Sequence, residues 1–120
     1  MHKTVSGSLA LLAITAIGCG GAAIPHEQLT SSQAAIRAAE EVGAKSYPTA
    51  ELHLRFAKDQ VAKARTLIAD DENEDAKRVL QRAQADAELA IAITKESAVR
   101  AQAEQALSQV RELRQQISQR

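Results

Sequence analysis

A single thiol, a few histidines and one acidic cluster are the residues of this sequence whose types could do chemistry. Cys19 is the sole cysteine, which excludes an internal disulfide and a metal site built from several cysteines. His26 and His53 have no His or Cys at the spacing that metal ligands need, so we interpret both as solvent-exposed imidazoles. The serines have no triad context, and no glycine-rich phosphate loop is found. The sequence therefore predicts no catalytic residue, no metal site and no cofactor.

The acidic cluster at residues 70–75 begins like a calcium-binding loop, with Asp71, Asn73 and Asp75 at alternate positions. Ala76 stands where the sharp turn of such a loop needs glycine, and Arg82 stands where a bidentate glutamate belongs. We therefore expect no specific calcium site. The acidic and amide side chains are instead expected to cap the helix that follows and to complement its dipole.

The first 18 residues have the pattern of a secretory signal peptide. His2 and Lys3 form a short basic region, residues 9–14 are apolar, and small residues lead to Gly18. This stretch is too short to span a bilayer, which takes roughly 20 apolar residues. We predict a signal peptide over residues 1–18, with cleavage before Cys19.

Gly18 followed at once by Cys19 resembles the lipobox of bacterial lipoproteins, although Ala16 replaces the leucine preferred three residues before the cysteine. The resemblance implies that Cys19 carries a diacylglyceryl group and an acylated amine, with palmitate among the acyl chains. Several chains anchor a protein stably, since each buried methylene contributes about 0.8 kcal/mol. Gly20 occupies the position after the cysteine, where lipoproteins of the Gram-negative inner membrane carry Asp. By this resemblance, a residue other than Asp implies the periplasmic face of the outer membrane; the inner membrane stays open. The alternative is an apolar leader with an incidental cysteine.

Behind the cysteine, the composition predicts a flexible tether and then an all-α domain. Residues 19–33 contain Gly, Pro, Ser and Thr without a period, which is typical of a tether. Residues 34–120 are mostly helix formers. Gly43 suits a helix C-terminal cap, Pro48 suits a first turn, and the acidic cluster makes a second break. We therefore predict helices near 31–44, 49–69 and 73–119.

Apolar stripes predict how these helices pack. The second helix and the first half of the third each carry one stripe, so they should form an antiparallel hairpin. The short first helix should lie against this hairpin, and the apolar run 87–93 should be buried under both other helices. The stripes are Ala35, Ile36, Ala39 and Val42; Ala50, Leu54, Ala57, Val61, Ala64 and Ile68; and Ala76, Leu80, Ala83, Ala87 and Ala90.

The third helix should outrun its partner, because roughly 46 residues span about 70 Å whereas the second helix covers about 30 Å. Its second half carries another apolar seam, out of phase with the first stripe. The seam consists of Val99, Ala103, Ala106, Val110, Leu113 and Ile117. An apolar seam without a partner in the chain indicates a coiled-coil contact with a second copy or another envelope protein. The alternative is a solvated or frayed helix end.

Residues 43–93 resemble the domain of unknown function 4398, a family of small alanine-rich helical domains in bacterial envelope lipoproteins, sometimes joined to peptidoglycan-binding domains. The matching residues are Gly43, Ala44, Tyr47, Glu51, Leu52, Ala57, Ala62, Ala64 and the run Asp-Ala-Glu-Leu-Ala at 86–90. The resemblance implies structural roles, with Tyr47 and Leu52 seating the first turn against the hairpin. The family's glycine in the second turn is replaced by Asp70 and Asp71. An envelope location is implied, without a reaction.

These observations favour a binding or structural role over an enzyme. Fifteen basic and fifteen acidic residues give a net charge of zero, which argues against a nucleic-acid partner. Arg120 cannot provide the terminal amine that ties some helical lipoproteins covalently to peptidoglycan, so only a non-covalent cell-wall contact stays open. We expect a lipid-anchored, periplasm-facing structural or adaptor protein. The alternative is a periplasmic carrier or chaperone for an apolar ligand or an unfolded client.

Overall fold

The computed structural model describes residues 21–120, so the predicted signal peptide and Cys19 lie outside the described residues. Within this range the chain is helical, with three α-helices, one short 3-10 helix and no strand. The α-helices are α1 (His26–Glu41), α2 (Pro48–Ala69) and α3 (Asn73–Ser118), and the 3-10 helix is Ala44–Ser46. The prediction of an all-α fold with a long C-terminal helix is confirmed.

The two breaks between helices form where the sequence predicts them. Gly43 ends α1 with a left-handed backbone at φ 85°, and its N–H donates to the Glu40 carbonyl at 3.0 Å. Pro48 is the first residue of α2, where its missing N–H costs nothing. Asp71 turns the chain into α3 with a left-handed φ of 61°, a conformation that glycine adopts without strain.

The first helix begins at His26 rather than near residue 31, and it ends at Glu41 rather than near 44. Residues 26–33 are therefore helical, which corrects the part of the predicted tether that lies in this range. The hydroxyl groups that suggested a tether are satisfied within the helix: Thr30 donates to the His26 carbonyl at 2.9 Å and Ser32 to the Leu29 carbonyl at 3.0 Å. Ser32 is fully buried, so a small polar residue forms part of the contact face.

The three helices run up, down and up. Near the α2–α3 turn, Leu29 from the start of α1 packs beside Ala64 of α2 and Ala76 of α3. At the other end, Ala39 of α1 and Ala90 of α3 belong to one cluster with residues from the start of α2. Therefore α1 and α3 point the same way, and α2 is antiparallel to both. The predicted hairpin with α1 against it is confirmed.

Small side chains fill most of the core, as the sequence predicts. Nine of the twelve buried hydrophobic residues are alanine, so the helix backbones lie close together. Every residue of the predicted α2 stripe is buried except Ile68, which is half-buried, and all five of the α3 stripe are buried. Val42, expected in the α1 stripe, is 41% exposed because it follows the end of the helix.

The run 87–93 packs against both other helices, but it is not buried all round. Ala90 is fully buried in the cluster that joins the three helices, and Ile91 and Ile93 pack against that cluster. Leu89 is 43% exposed and Ala92 is exposed. Only two neighbouring helices reach this stretch, and they leave its outer side open. Thr94 ends the buried stripe, with its hydroxyl donating to the Ala90 carbonyl at 2.7 Å.

Candidate functional site

Few groups in residues 21–120 are arranged for chemistry. This part of the chain has no cluster of three or more His, Cys, Asp or Glu side chains that could hold a metal ion. None of its helices is long and apolar enough to cross a membrane. His26 is exposed at the start of α1. Cys19, the predicted lipidation site, lies outside the described residues.

His53 is not a free surface imidazole, which corrects the sequence-based interpretation. Its Nδ1 lies 2.9 Å from Asp86 Oδ1, and Gln60 Nε2 donates to Asp86 Oδ2 at 2.7 Å. The imidazole and the carboxylate are each about a quarter exposed, and the Phe56 ring lies at 88° to the imidazole with ring centroids 6.0 Å apart. Both carboxylate oxygens of Asp86 are occupied, so this cluster fastens α2 to α3. Asp86 begins the run 86–90 that carries part of the family resemblance. Its hydrogen-bond partners could not be predicted from the sequence, because they depend on how α2 and α3 are aligned in the hairpin.

Five of the nine exposed large hydrophobic residues among those described lie on the second half of α3. We call residues 99–118 the arm; every residue from 99 to 120 is exposed. The six residues of the predicted seam all lie on this arm. The large seam residues are exposed to 64% at Val99, 45% at Val110, 57% at Leu113 and 75% at Ile117. This exposure is high for aliphatic residues that follow each other along one face.

The seam is a separate face of α3 and does not continue the buried stripe. At about 100° per residue, the seam lies about 140° around the helix from the stripe that ends at Thr94. The positions that would continue the buried stripe are first the small residues Ala98 and Ala101 and then polar residues, namely Gln105, Ser108 and Glu112. Glu96 precedes the seam and accepts a hydrogen bond from Arg100 Nε at 3.1 Å. The apolar face of the helix therefore changes where the hairpin ends.

A family model described as Domain of unknown function (DUF4398) matches residues 27–106, two thirds of the chain. The chain belongs to this family. The match is wider than the resemblance over residues 43–93: it takes in nearly all of α1, the whole hairpin and the beginning of the arm. Neither a search of curated proteins nor a search of solved structures gave a match.

In this DUF4398 chain, the segment before α1 is held against the α2–α3 turn. The side-chain amide of Asn73 donates to the Ala22 carbonyl at 2.8 Å, and Asn73 is only 8% exposed. This contact corrects the expected capping role, because no side chain caps the start of α3 by a hydrogen bond. Glu74 and Asp75 do lie in the first turn of α3, where negative charge complements the helix dipole. The polypeptide therefore enters the domain at its turn end.

Proposed function

We propose that this DUF4398 chain is a lipid-anchored structural or adaptor protein of the bacterial envelope that holds its arm out for a binding partner. The exposed seam carries the proposal. Burial of apolar surface is favourable by about 25 cal/mol per Å², so a face of six aliphatic residues favours a partner over water. The hairpin, in contrast, already covers the other apolar stripe of α3.

The direction of the helices supports an arm that points away from the membrane. Ala22 is fixed at the turn end of the domain, and Cys19 precedes it by three residues. Three residues span at most about 10 Å, so a lipid on Cys19 would keep the turn end near the bilayer. From that end α3 runs for 46 residues, or about 70 Å. A periplasm-facing anchor at the outer membrane would thus place the seam far from the lipid surface.

The anchor is tested by intact mass and membrane fractionation of the expressed full-length protein beside Cys19→Ser. We expect a mass fitting residues 19–120 plus acyl chains, and release of the variant from the membrane. A full-length product that stays in the soluble fraction with an unmodified Cys19 would contradict the anchor.

The seam is tested separately by affinity capture from crosslinked cells. Val110→Asp plus Leu113→Asp places two charges in the seam, whereas Gln105→Asp plus Ser108→Asp places two on the opposite face of the same helix. Both pairs add the same charge to the arm at similar helix propensity. We expect the seam pair to lose self-association or captured envelope proteins and the control pair to keep them. Equal capture by both pairs would contradict an adaptor role for the seam.

A further inference from the structure

The seam fills both core positions of three successive heptads, which is the shortest run that indicates a coiled coil. Its spacing of four and three residues alternates from Val99 to Ile117 without a break. The a positions are Ala103, Val110 and Ile117, and the d positions are Val99, Ala106 and Leu113. The arm therefore has the pattern of one strand of a coiled coil rather than of a helix that packs on an irregular surface.

The residue types at these positions favour a coiled coil of two parallel helices. Val110 and Ile117 are β-branched at a, and Leu113 lies between them at d, which is the combination that parallel dimers prefer. Ala103 and Ala106 make narrow layers nearer the hairpin, and there the two backbones would approach closely. Small layers bury little area, so the pairing should be weak in solution.

Charges beside the seam distinguish the two orientations. One flank carries Arg100, Leu107 and Arg114, and the other carries only glutamine, at 102, 109 and 116. In an antiparallel pair with aligned cores, Arg100, which also hydrogen-bonds Glu96 of its own helix, would face Arg114 of the second copy and so place two guanidinium groups together. In a parallel pair each arginine flank faces a glutamine flank, whose amide oxygens accept hydrogen bonds from guanidinium groups. The arginine positions thus disfavour antiparallel pairing, whereas Leu107 would meet Leu107 of the second copy in that arrangement.

The fold leaves room for this pairing. The last buried residue of α3 is Thr94, and the seam begins at Val99, so two arms can meet without displacing α1 or α2. On the proposed function, two anchored chains leave one membrane in the same direction, which matches a parallel pair. Confinement to the membrane also raises the effective concentration of a weakly associating arm.

We infer that the partner of the seam is a second copy of this chain, paired in parallel and in register along residues 99–117. The inference rests on the proposed function for its membrane confinement, whereas the heptad and flank patterns are independent of the anchor.

Crosslinking of the full chain in its membrane tests the pairing. Val110→Cys places a thiol in the seam, Ser108→Cys places one on the opposite face, and the unsubstituted chain gives the background from Cys19. With a short bismaleimide, we expect Val110→Cys to give at least several-fold more covalent dimer than Ser108→Cys. Equal yields from the two variants would overturn the inference.

Orientation is tested by coexpressing chains that carry one thiol each. In an antiparallel pair the core position of Ala106 meets that of Val110 in the second copy. Efficient crosslinking between Ala106→Cys and Val110→Cys chains, without self-crosslinking of Val110→Cys alone, would overturn the parallel arrangement. Self-crosslinking of Ile117→Cys alone would support it, because an antiparallel pair would hold the two Ile117 positions 18 residues, or about 27 Å, apart.

Failure of the pairing can be distinguished from failure of the anchor. Two soluble chains are prepared, one with Cys19→Ser and Val110→Cys and the other with Cys19→Ser and Ser108→Cys. Each is crosslinked at increasing protein concentration. Seam-dependent dimer in this soluble form supports the pairing even if fractionation contradicts the anchor. Lack of seam-dependent dimer both here and in the membrane, while Cys19 proves to be lipidated, overturns the pairing and leaves the anchored adaptor intact.

Discussion

Two turn residues have left-handed backbones, and they differ in whether their side chain suits that conformation. Gly43 has φ 85° and no atom within 4 Å of the place that a Cβ would take, so Gly43→Ala would introduce backbone strain without a clash. We expect a loss of about 1 kcal/mol in the free energy of unfolding.

Asp71 also has a left-handed backbone, at φ 61°, but it carries a Cβ that is strained in this conformation. Asp71→Gly should relieve this strain and stabilise the domain by up to about 1 kcal/mol. Urea unfolding measures both; stabilisation by Gly43→Ala would contradict this account.

Glu40 links the end of α1 to the rest of the domain, and it gives stability a dependence on pH. Hydrogen bonds first from Lys58, at 2.6 Å, and then from Lys45 lower the pKa of its carboxyl from the ordinary 4.5. A lowered folded pKa stabilises the fold above the unfolded value, and the contribution is lost as the pH falls through the folded pKa. Glu40→Gln should therefore lower the Tm at neutral pH and leave it unchanged at strongly acidic pH.

The matched control for this change is Glu41→Gln, which removes an exposed carboxylate next along the chain. It should alter the Tm less at neutral pH. Because the Glu40 pairs are partly exposed, their effect should also shrink at high salt. A Tm difference between wild type and Glu40→Gln that persisted unchanged below the pKa would contradict the ion-pair explanation.

At the scale of the helices, alanine sets the distance between α2 and α3. Ala83 is fully buried in the hairpin interface, and Ala85, two residues on, is exposed. Ala83→Leu should force the helices apart and destabilise the domain by about 1–3 kcal/mol, since a close-packed interface has no space for the added carbons. Ala85→Leu makes the same chemical change on the outer face and should be near neutral. Thermal unfolding followed by circular dichroism compares them, and equal losses would mean that helix spacing is not the cause.

Periodicity predicts this interface well because each stripe depends on a single helix. The buried residues of α2 and α3, the Gly43 cap and the Pro48 start all follow from local rules. The beginning of α1 does not, because its hydroxyl-rich turns resemble a tether until Ser32 is placed against the hairpin. Likewise, the Asp86 and Asn73 contacts join elements that are distant in sequence. Spacing identifies the exposed seam, whereas it contains no information on the hydrogen bonds between helices.

For the whole molecule, the body of three helices and the arm should behave as separable units. A chain that ends at Ala98 lacks only exposed residues, so the body should keep its free energy of unfolding within about 0.5 kcal/mol at low concentration. At high concentration the full chain should gain stability over the truncated one, because a dimer of folded chains shifts the unfolding equilibrium by mass action. Chemical unfolding of the Cys19→Ser chain over a range of concentrations measures both effects.

Hydrogen exchange in the same samples shows which residues are responsible for the gain in stability at high concentration. An unpaired arm is fully solvent-exposed and has no tertiary contacts to protect its hydrogen bonds, so its amides should exchange faster at low concentration than those of the hairpin. If the seam pairs, protection should appear along residues 99–117 as concentration rises, and Val110→Asp plus Leu113→Asp should prevent it. A truncated chain that is destabilised at every concentration would show instead that the arm supports the body. The seam would then act within the fold, and the division into an anchored body and a pairing arm would be wrong.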